Sequence, residues 1–145
     1  MNAKPIILII DDDVVLLVLL RQSLERAGYA VETAANGLAG LQRAYEVHPD
    51  LVILDVMMPR MDGWEVCSHL REVTQVPIIM LTAKDAEGDK LRGFRLGIDD
   101  YVTKPFSFAE LTARVGAVLH RARQTPSATR PRVYTSGDLV IDLES

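Results

Sequence analysis

A chain of 145 residues, 48% of them hydrophobic, is long enough for one domain with a real core and little more. Its net charge of −4 excludes a generic nucleic-acid binder. The single cysteine, Cys67, excludes an internal disulfide framework and a Cys-rich zinc site, and no apolar run reaches the ~20 residues that cross a bilayer.

The N-terminus, MNAKP, lacks the apolar stretch of a signal peptide, so the expectation is a protein of the reducing cytoplasm. Ile6–Ile10 reads as a buried strand, β1. Val14–Ala27 reads as helix α1, with Asp13 able to cap its start and Gly28 able to end it. Val31–Ala34 is β2, Asn36-Gly37 a turn, and Leu38–Tyr45 helix α2. Leu51–Leu54 is β3, followed by a loop with Pro59 and Asp62-Gly63 and then helix α3 over Trp64–Arg71. Pro77 leads into β4, Ile78–Leu81, and Asp89–Leu96 reads as helix α4, stopped by Gly97. Tyr101–Thr103 is β5, and Ser107–Arg121 is helix α5, opened by a capping box of Ser107 and Glu110.

Short, fully apolar strands alternating with helices predict an α/β fold, a parallel sheet covered on both faces. After Arg121 the composition changes. Residues 123–132 hold Pro126, Pro131 and no acid, a linker signature. Residues 133–145 alternate around Gly137-Asp138 and read as two short strands, the truncated start of a second domain.

In such folds the functional site lies beyond the carboxyl ends of the strands. Four chemical groups fall there: Asp11-Asp12 after IILII, Asp55 after LVIL, Thr82 after IIML and Lys104 after YVT. Capping explains Asp13 and one further acid, but not carboxylates set against the end of a buried strand. Two acids here with Asp55 suit Mg²⁺, which takes a few carboxylates, waters and phosphate oxygens. A carboxylate such as Asp55 is also a competent nucleophile toward an activated phosphoryl group. Thr after a strand often only caps a helix, and a lone Lys is usually a solvated charge. Lys104 departs from that pattern because it sits between an apolar strand and Pro105, a candidate cis peptide that would aim it inward as a phosphate binder.

The segments IILIIDDD, LVILDVMMPRMDG, VPIIMLTA and GIDDYVTKPF resemble, in order and spacing, the receiver domain of two-component response regulators. The resemblance covers residues 6 to about 121. It implies a flavodoxin-like, doubly wound (βα)5 fold with strand order 2-1-3-4-5 and a receiver over residues 1–122. It implies a phosphoacceptor signalling domain rather than an enzyme, with Asp55 phosphorylated by a sensor histidine kinase. Asp11, Asp12, Asp55 and the Met57 carbonyl would hold Mg²⁺, Thr82 and Lys104 would contact the phosphoryl group, and Tyr101 would be the switch aromatic that turns inward when Thr82 moves.

From Lys90 to Arg121 the chain is similar to the OmpR/PhoB-type subfamily, whose phosphorylated receivers form homodimers through α4, β5 and α5. The charged positions match as Lys90 with Glu110, Asp99 with Arg114 and Asp100 with Arg121, each pair made twice by a two-fold axis. The bland alternative is a capping residue and a solvated face. The tail VYTSGDLVIDLES resembles the opening strands of that subfamily's winged-helix DNA-binding domain, so DNA would be reached only through a missing C-terminal part. Helix α1 departs from the family with seven consecutive apolar residues, Val14–Leu20; either some are simply exposed, or they form extra partner surface, because family kinases dock on α1 and α5. Met57 and Lys84 stand where the family tunes acyl-phosphate hydrolysis, and neither orients water well, which implies a long-lived phosphorylated state. Two rival chemistries fit worse. Aspartate-nucleophile phosphatases are longer and carry their Asp-x-Asp after the first strand with a catalytic Thr context that Asp11-Asp12-Asp13 lacks, and an FMN binder needs a hydroxyl- or glycine-rich loop where this chain has three acids. A receiver used as an interaction module without phosphorylation is a third alternative.

Overall fold

The computed structural model describes residues 3–83 and 96–124. Five parallel strands form one sheet in the order β2-β1-β3-β4-β5. The strands are β1 Ile6–Ile10, β2 Ala30–Ala34, β3 Leu51–Asp55, β4 Ile78–Ala83 and β5 Asp100–Lys104. The described helices are α1 Val14–Arg26, α2 Gly37–Val47, α3 Gly63–Val73 and α5 Phe108–Gln124. Apart from Leu96, the expected α4 lies outside the described residues, as do Lys84, Lys90 and the expected strands of 133–145.

Alternation along the strands divides the core into two layers. Ile7 and Ile9 of β1, Leu51 and Ile53 of β3, and Ile79 and Leu81 of β4 pack against α1 and α5. Their neighbours Leu8, Ile10, Val52, Leu54, Ile78 and Met80 pack against α2 and α3. The central strands β1, β3 and β4 are apolar at every position up to Ile10, Leu54 and Leu81 because both of their faces are covered.

Local chemistry fixes the helix starts. The Asp13 carboxylate accepts from the Leu16 N–H at 3.1 Å and caps α1. Asn36, expected in a free turn, accepts from the Ala39 N–H at 2.8 Å and caps α2. Asp62 and Glu65 form a full capping box on α3, which brings Asp62-Gly63 out of the loop and into the helix start. Ser107 Oγ accepts from the Glu110 N–H at 2.9 Å at the start of α5. That last helix runs to Gln124, three residues past its expected end.

Of the seven apolar residues that open α1, Leu17 and Leu20 are buried in the core. Val14, Val15, Val18 and Leu19 are exposed at 61%, 68%, 51% and 41% and form one contiguous helix face.

Candidate functional site

Three strands run further than their apolar stretches suggest. Asp55 ends β3, Thr82 is the next-to-last residue of β4, and Lys104 ends β5. The ladder persists to these positions: Asp55 is in register with Leu81, Thr82 with Thr103, and Ala83 with Lys104. Asp11 follows β1, yet its N–H still bonds the Ala34 carbonyl at 3.1 Å. The polar groups therefore stand on rigid backbone at the carboxyl edge of the sheet.

Together they line a cleft of about 650 Å³ whose walls include Asp11, Asp12, Asp55, Met57, Ala83 and Lys104. Leu16, Pro105, Phe106 and Phe108 form its apolar side. Asp11 is fully buried and Asp55 is 4% exposed, whereas Asp12 is exposed. Lys104 Nζ lies 3.3 Å from Asp11 Oδ2 and 3.3 Å from Asp55 Oδ1. The other oxygen of Asp11, Oδ1, accepts the Asp13 N–H at 2.9 Å. The Lys104–Pro105 peptide is cis, as the Lys-Pro-Phe sequence suggests.

The electrostatics are unbalanced. Burial and then the Asp11 charge push the Asp55 carboxyl up from 3.8 to about 6, while Lys104 and the Met57 N–H act in the other direction. Burial also opposes the charge on Lys104, but Asp11 and Asp55 outweigh it and raise the ammonium's pKa. One ammonium facing two buried carboxylates leaves a local surplus of negative charge.

Oxygen atoms from Asp11, Asp12 and Asp55 all lie within 4.8 Å of one another. Hard carboxylate donors, crowded and only partly compensated, fit a divalent cation such as Mg²⁺ that keeps some of its waters. Met57 borders the same cleft with its side chain 70% exposed.

The structure thus brings Asp11, Asp12, Asp55, Met57 and Lys104 to one place. Thr82 is buried one position before Ala83 and is not among the lining residues. Tyr101 is half-buried, in register with Met80, and packs on the core layer of α2 and α3.

The charged positions on β5 and α5 gather separately. Arg114 Nη1 donates to both carboxylate oxygens of Asp100 at 3.0 Å, and its Nη2 lies 3.7 Å from Glu110. Arg121 Nη2 reaches the Asp99 carbonyl at 3.5 Å. Within one chain, then, Arg114 pairs with Asp100, and the Asp99 carboxylate lies 3.9 Å from Arg71. Asp100, Glu110, Arg114, His120 and Arg121 line one shallow groove.

Sequence reasoning missed two features of the site. The apolar wall of Phe106 and Phe108 could have been suspected from its place directly after Lys104. Gly63 reads in the sequence only as part of a loop, yet a Cβ there would collide with the Asp55 carbonyl oxygen. Only glycine lets the start of α3 sit against Asp55, and its N–H bonds the Val56 carbonyl at 2.9 Å.

Residues 7–116 match the protein family described as response regulator receiver domain. The chain is 48% identical over 143 residues to the alkaline phosphatase synthesis transcriptional regulatory protein PhoP of Bacillus subtilis, covering 97% of this chain and 59% of that protein. It is 45% identical over 141 residues to the DNA-binding dual master transcriptional regulator RpaA of Synechocystis, covering 94% of this chain and 58% of that one. The chain thus spans less than two thirds of the length of these curated relatives. Among solved structures, a CheY-like response regulator receiver domain protein from Methanospirillum hungatei superposes with a TM-score of 0.81 at 28% identity, covering 84% of this chain and 98% of that one. A two-component response regulator from Clostridium difficile gives 0.79 at 31% identity, covering 83% and 100%.

Proposed function

The chain belongs to the response regulator receiver domain family, and from that premise we propose that Asp55 accepts a phosphoryl group from a sensor histidine kinase and thereby controls a transcription-regulating effector domain. The carrying observation is a buried carboxylate at the sheet edge, flanked by Asp11 and held 3.3 Å from Lys104.

An Asp55 carboxylate oxygen attacks phosphorus, and the P–N bond to the donor imidazole breaks with its electron pair returning to nitrogen. Lys104, already poised between two carboxylates, neutralises the incoming phosphoryl oxygens as a point charge. Asp11, Asp12, Asp55 and the Met57 carbonyl hold Mg²⁺, which when bound offsets the repulsion between donor phosphoryl and acceptor carboxylates. Thr82 approaches the phosphoryl group by leaving its buried position on β4, and Tyr101, one strand over, turns inward behind it.

The OmpR/PhoB-type output is self-association through α4, β5 and α5. Lys90 with Glu110, Asp99 with Arg114 and Asp100 with Arg121 pair across the two copies, which requires Arg114 to exchange its intrachain Asp100 for the other copy. The kinase docks on the exposed apolar face of α1. DNA binding belongs to a C-terminal domain joined through the segment that follows Gln124. No described helix is long and apolar enough to cross a membrane. Phosphoryl transfer from a sensor kinase to a transcription regulator is the ground for placing the protein in the cytoplasm.

The test is the intact mass of the protein after incubation with acetyl phosphate and Mg²⁺. One added phosphoryl group, absent in Asp55→Asn and absent without Mg²⁺, is expected. No addition under any condition, together with no binding of beryllofluoride, would leave an interaction module that works without phosphorylation.

A further inference from the structure

Arg71 of α3 is a cation far from the acidic cleft with an unusually complete set of partners. Its side chain is 11% exposed. Three guanidinium nitrogens donate to three backbone carbonyls: Nε to Leu96 at 3.1 Å, Nη2 to Gly97 at 3.1 Å and Nη1 to Thr74 at 3.4 Å. Thr74 caps the end of α3, and Leu96 and Gly97 close the turn that leads to β5. Carbonyls at helix ends lack intrahelical donors and carry partial negative charge. A planar fork of donors fits such a cluster in a way a single ammonium does not.

The contacts continue toward β5. Asp99 Oδ1 lies 3.9 Å from Arg71 and accepts the Ile78 N–H at 3.2 Å, while the Asp99 N–H bonds the Ile78 carbonyl at 2.9 Å. Asp99 therefore ties the entry of β5 to the start of β4. The next residue, Asp100, takes both bonds from Arg114. A connected path thus runs from α3 around the β5 edge to α5 on the other side of the sheet.

We propose that Arg71 is a positioning residue for the self-association face: by clamping 96–99 it fixes where β5 begins, and so where Asp99 and Asp100 stand to meet the arginines of the other copy. This rests in part on the dimer reading above. Nothing in the clamp touches Asp55, so phosphoryl uptake and face geometry are separable by mutation.

The experiment compares wild type, Arg71→Lys and Arg71→Gln in the full 145-residue chain. Phosphoryl uptake from acetyl phosphate is followed by intact mass, self-association by sedimentation, and amide exchange over 96–104 by mass spectrometry. Uptake is expected to stay within about twofold of wild type in both variants, since the clamp is remote from the cleft. Exchange over 96–104 should quicken roughly tenfold, and association of the phosphorylated form should weaken by a similar factor, with Lys recovering part of both losses.

Loss of thermal stability with wild-type exchange over 96–104 and wild-type association would make Arg71 a packing residue and overturn the proposal. So would uptake that falls in step with association. If phosphorylated wild type does not self-associate, the dimer reading fails and the exchange measurement alone decides the role of Arg71. If Arg71→Gln does not fold, Arg71→Lys carries the same comparison.

Discussion

Replacing Asp55 with Asn should make the metal-free protein more stable at neutral pH, although it removes the proposed phosphoacceptor. The folded carboxyl is lifted to about 6 from 3.8, chiefly by burial and by Asp11. At 1.36 kcal/mol per pKa unit, that gap corresponds to about 3 kcal/mol against the folded state once the group is ionised. Between about pH 4 and pH 6 the folded state holds the proton while the unfolded chain has released it. Wild-type stability therefore falls as pH rises through that window and levels off above it. Asn resembles the protonated carboxyl in shape and charge, so its curve lacks this fall. The variant's advantage should be small near pH 4 and full at pH 7, on the order of 10 °C in Tm. Thermal melts from pH 4 to 8 in chelator measure it. Added Mg²⁺ should raise wild type toward the variant and leave the variant nearly unmoved. Parallel pH curves for the two proteins, or a less stable variant at pH 7, would refute the account of a buried, undercompensated charge.

Lys104→Met removes the ammonium between Asp11 and Asp55 and should cost about 2 kcal/mol at pH 7 after allowance for partial solvent exposure, read by chemical denaturation in chelator. Gly63→Ala forces a Cβ against the Asp55 carbonyl, which is backbone and cannot yield. A loss of about 2–4 kcal/mol with slowed phosphoryl uptake is expected, and wild-type values for both would show that α3 relaxes freely. Val15→Lys and Val18→Glu replace exposed side chains, so Tm should barely change, within about 0.5 kcal/mol of stability. Transfer from the kinase should fall, and unchanged transfer would end the docking role of α1. The aspartyl phosphate of purified protein in Mg²⁺ should be long-lived, because Met57 offers no carboxylate or amide to orient water, and rapid decay of the added mass would contradict this.

The fold was legible because the central strands are buried on both sides and so are apolar along most of their length. Their ends were not, because Asp55, Thr82 and Lys104 break the apolar run while the backbone ladder continues beneath them. Strand limits follow hydrogen bonds, and side-chain polarity hides those bonds here. The cleft residues Asp11, Asp12, Asp55 and Lys104 were readable from their place after strands. Arg71 was not, since one arginine on a helix carries no signal until the carbonyls of Leu96 and Gly97 arrive from 25 and 26 residues away. In α1 a run of seven apolar residues marked the helix as unusual, but only packing separates inward Leu17 and Leu20 from outward Val14, Val15 and Val18.

Strand β5 has the ammonium of the acidic cleft at one end and the Asp100 carboxylate, paired with Arg114, at the other. Lys104 and Asp100 are four residues apart, about 13 Å along an extended strand. Between them Tyr101, Val102 and Thr103 are held in register on β4. Such a segment behaves as a short strut: it cannot shorten, and it tilts or slides only as a whole. A sub-ångström pull on Lys104 would therefore be delivered to the Asp100 end as a change of angle or register rather than absorbed along the way. On the proposed mechanism, signal transmission on that side would need no flexible relay, only a stiff rod with a charge at each tip.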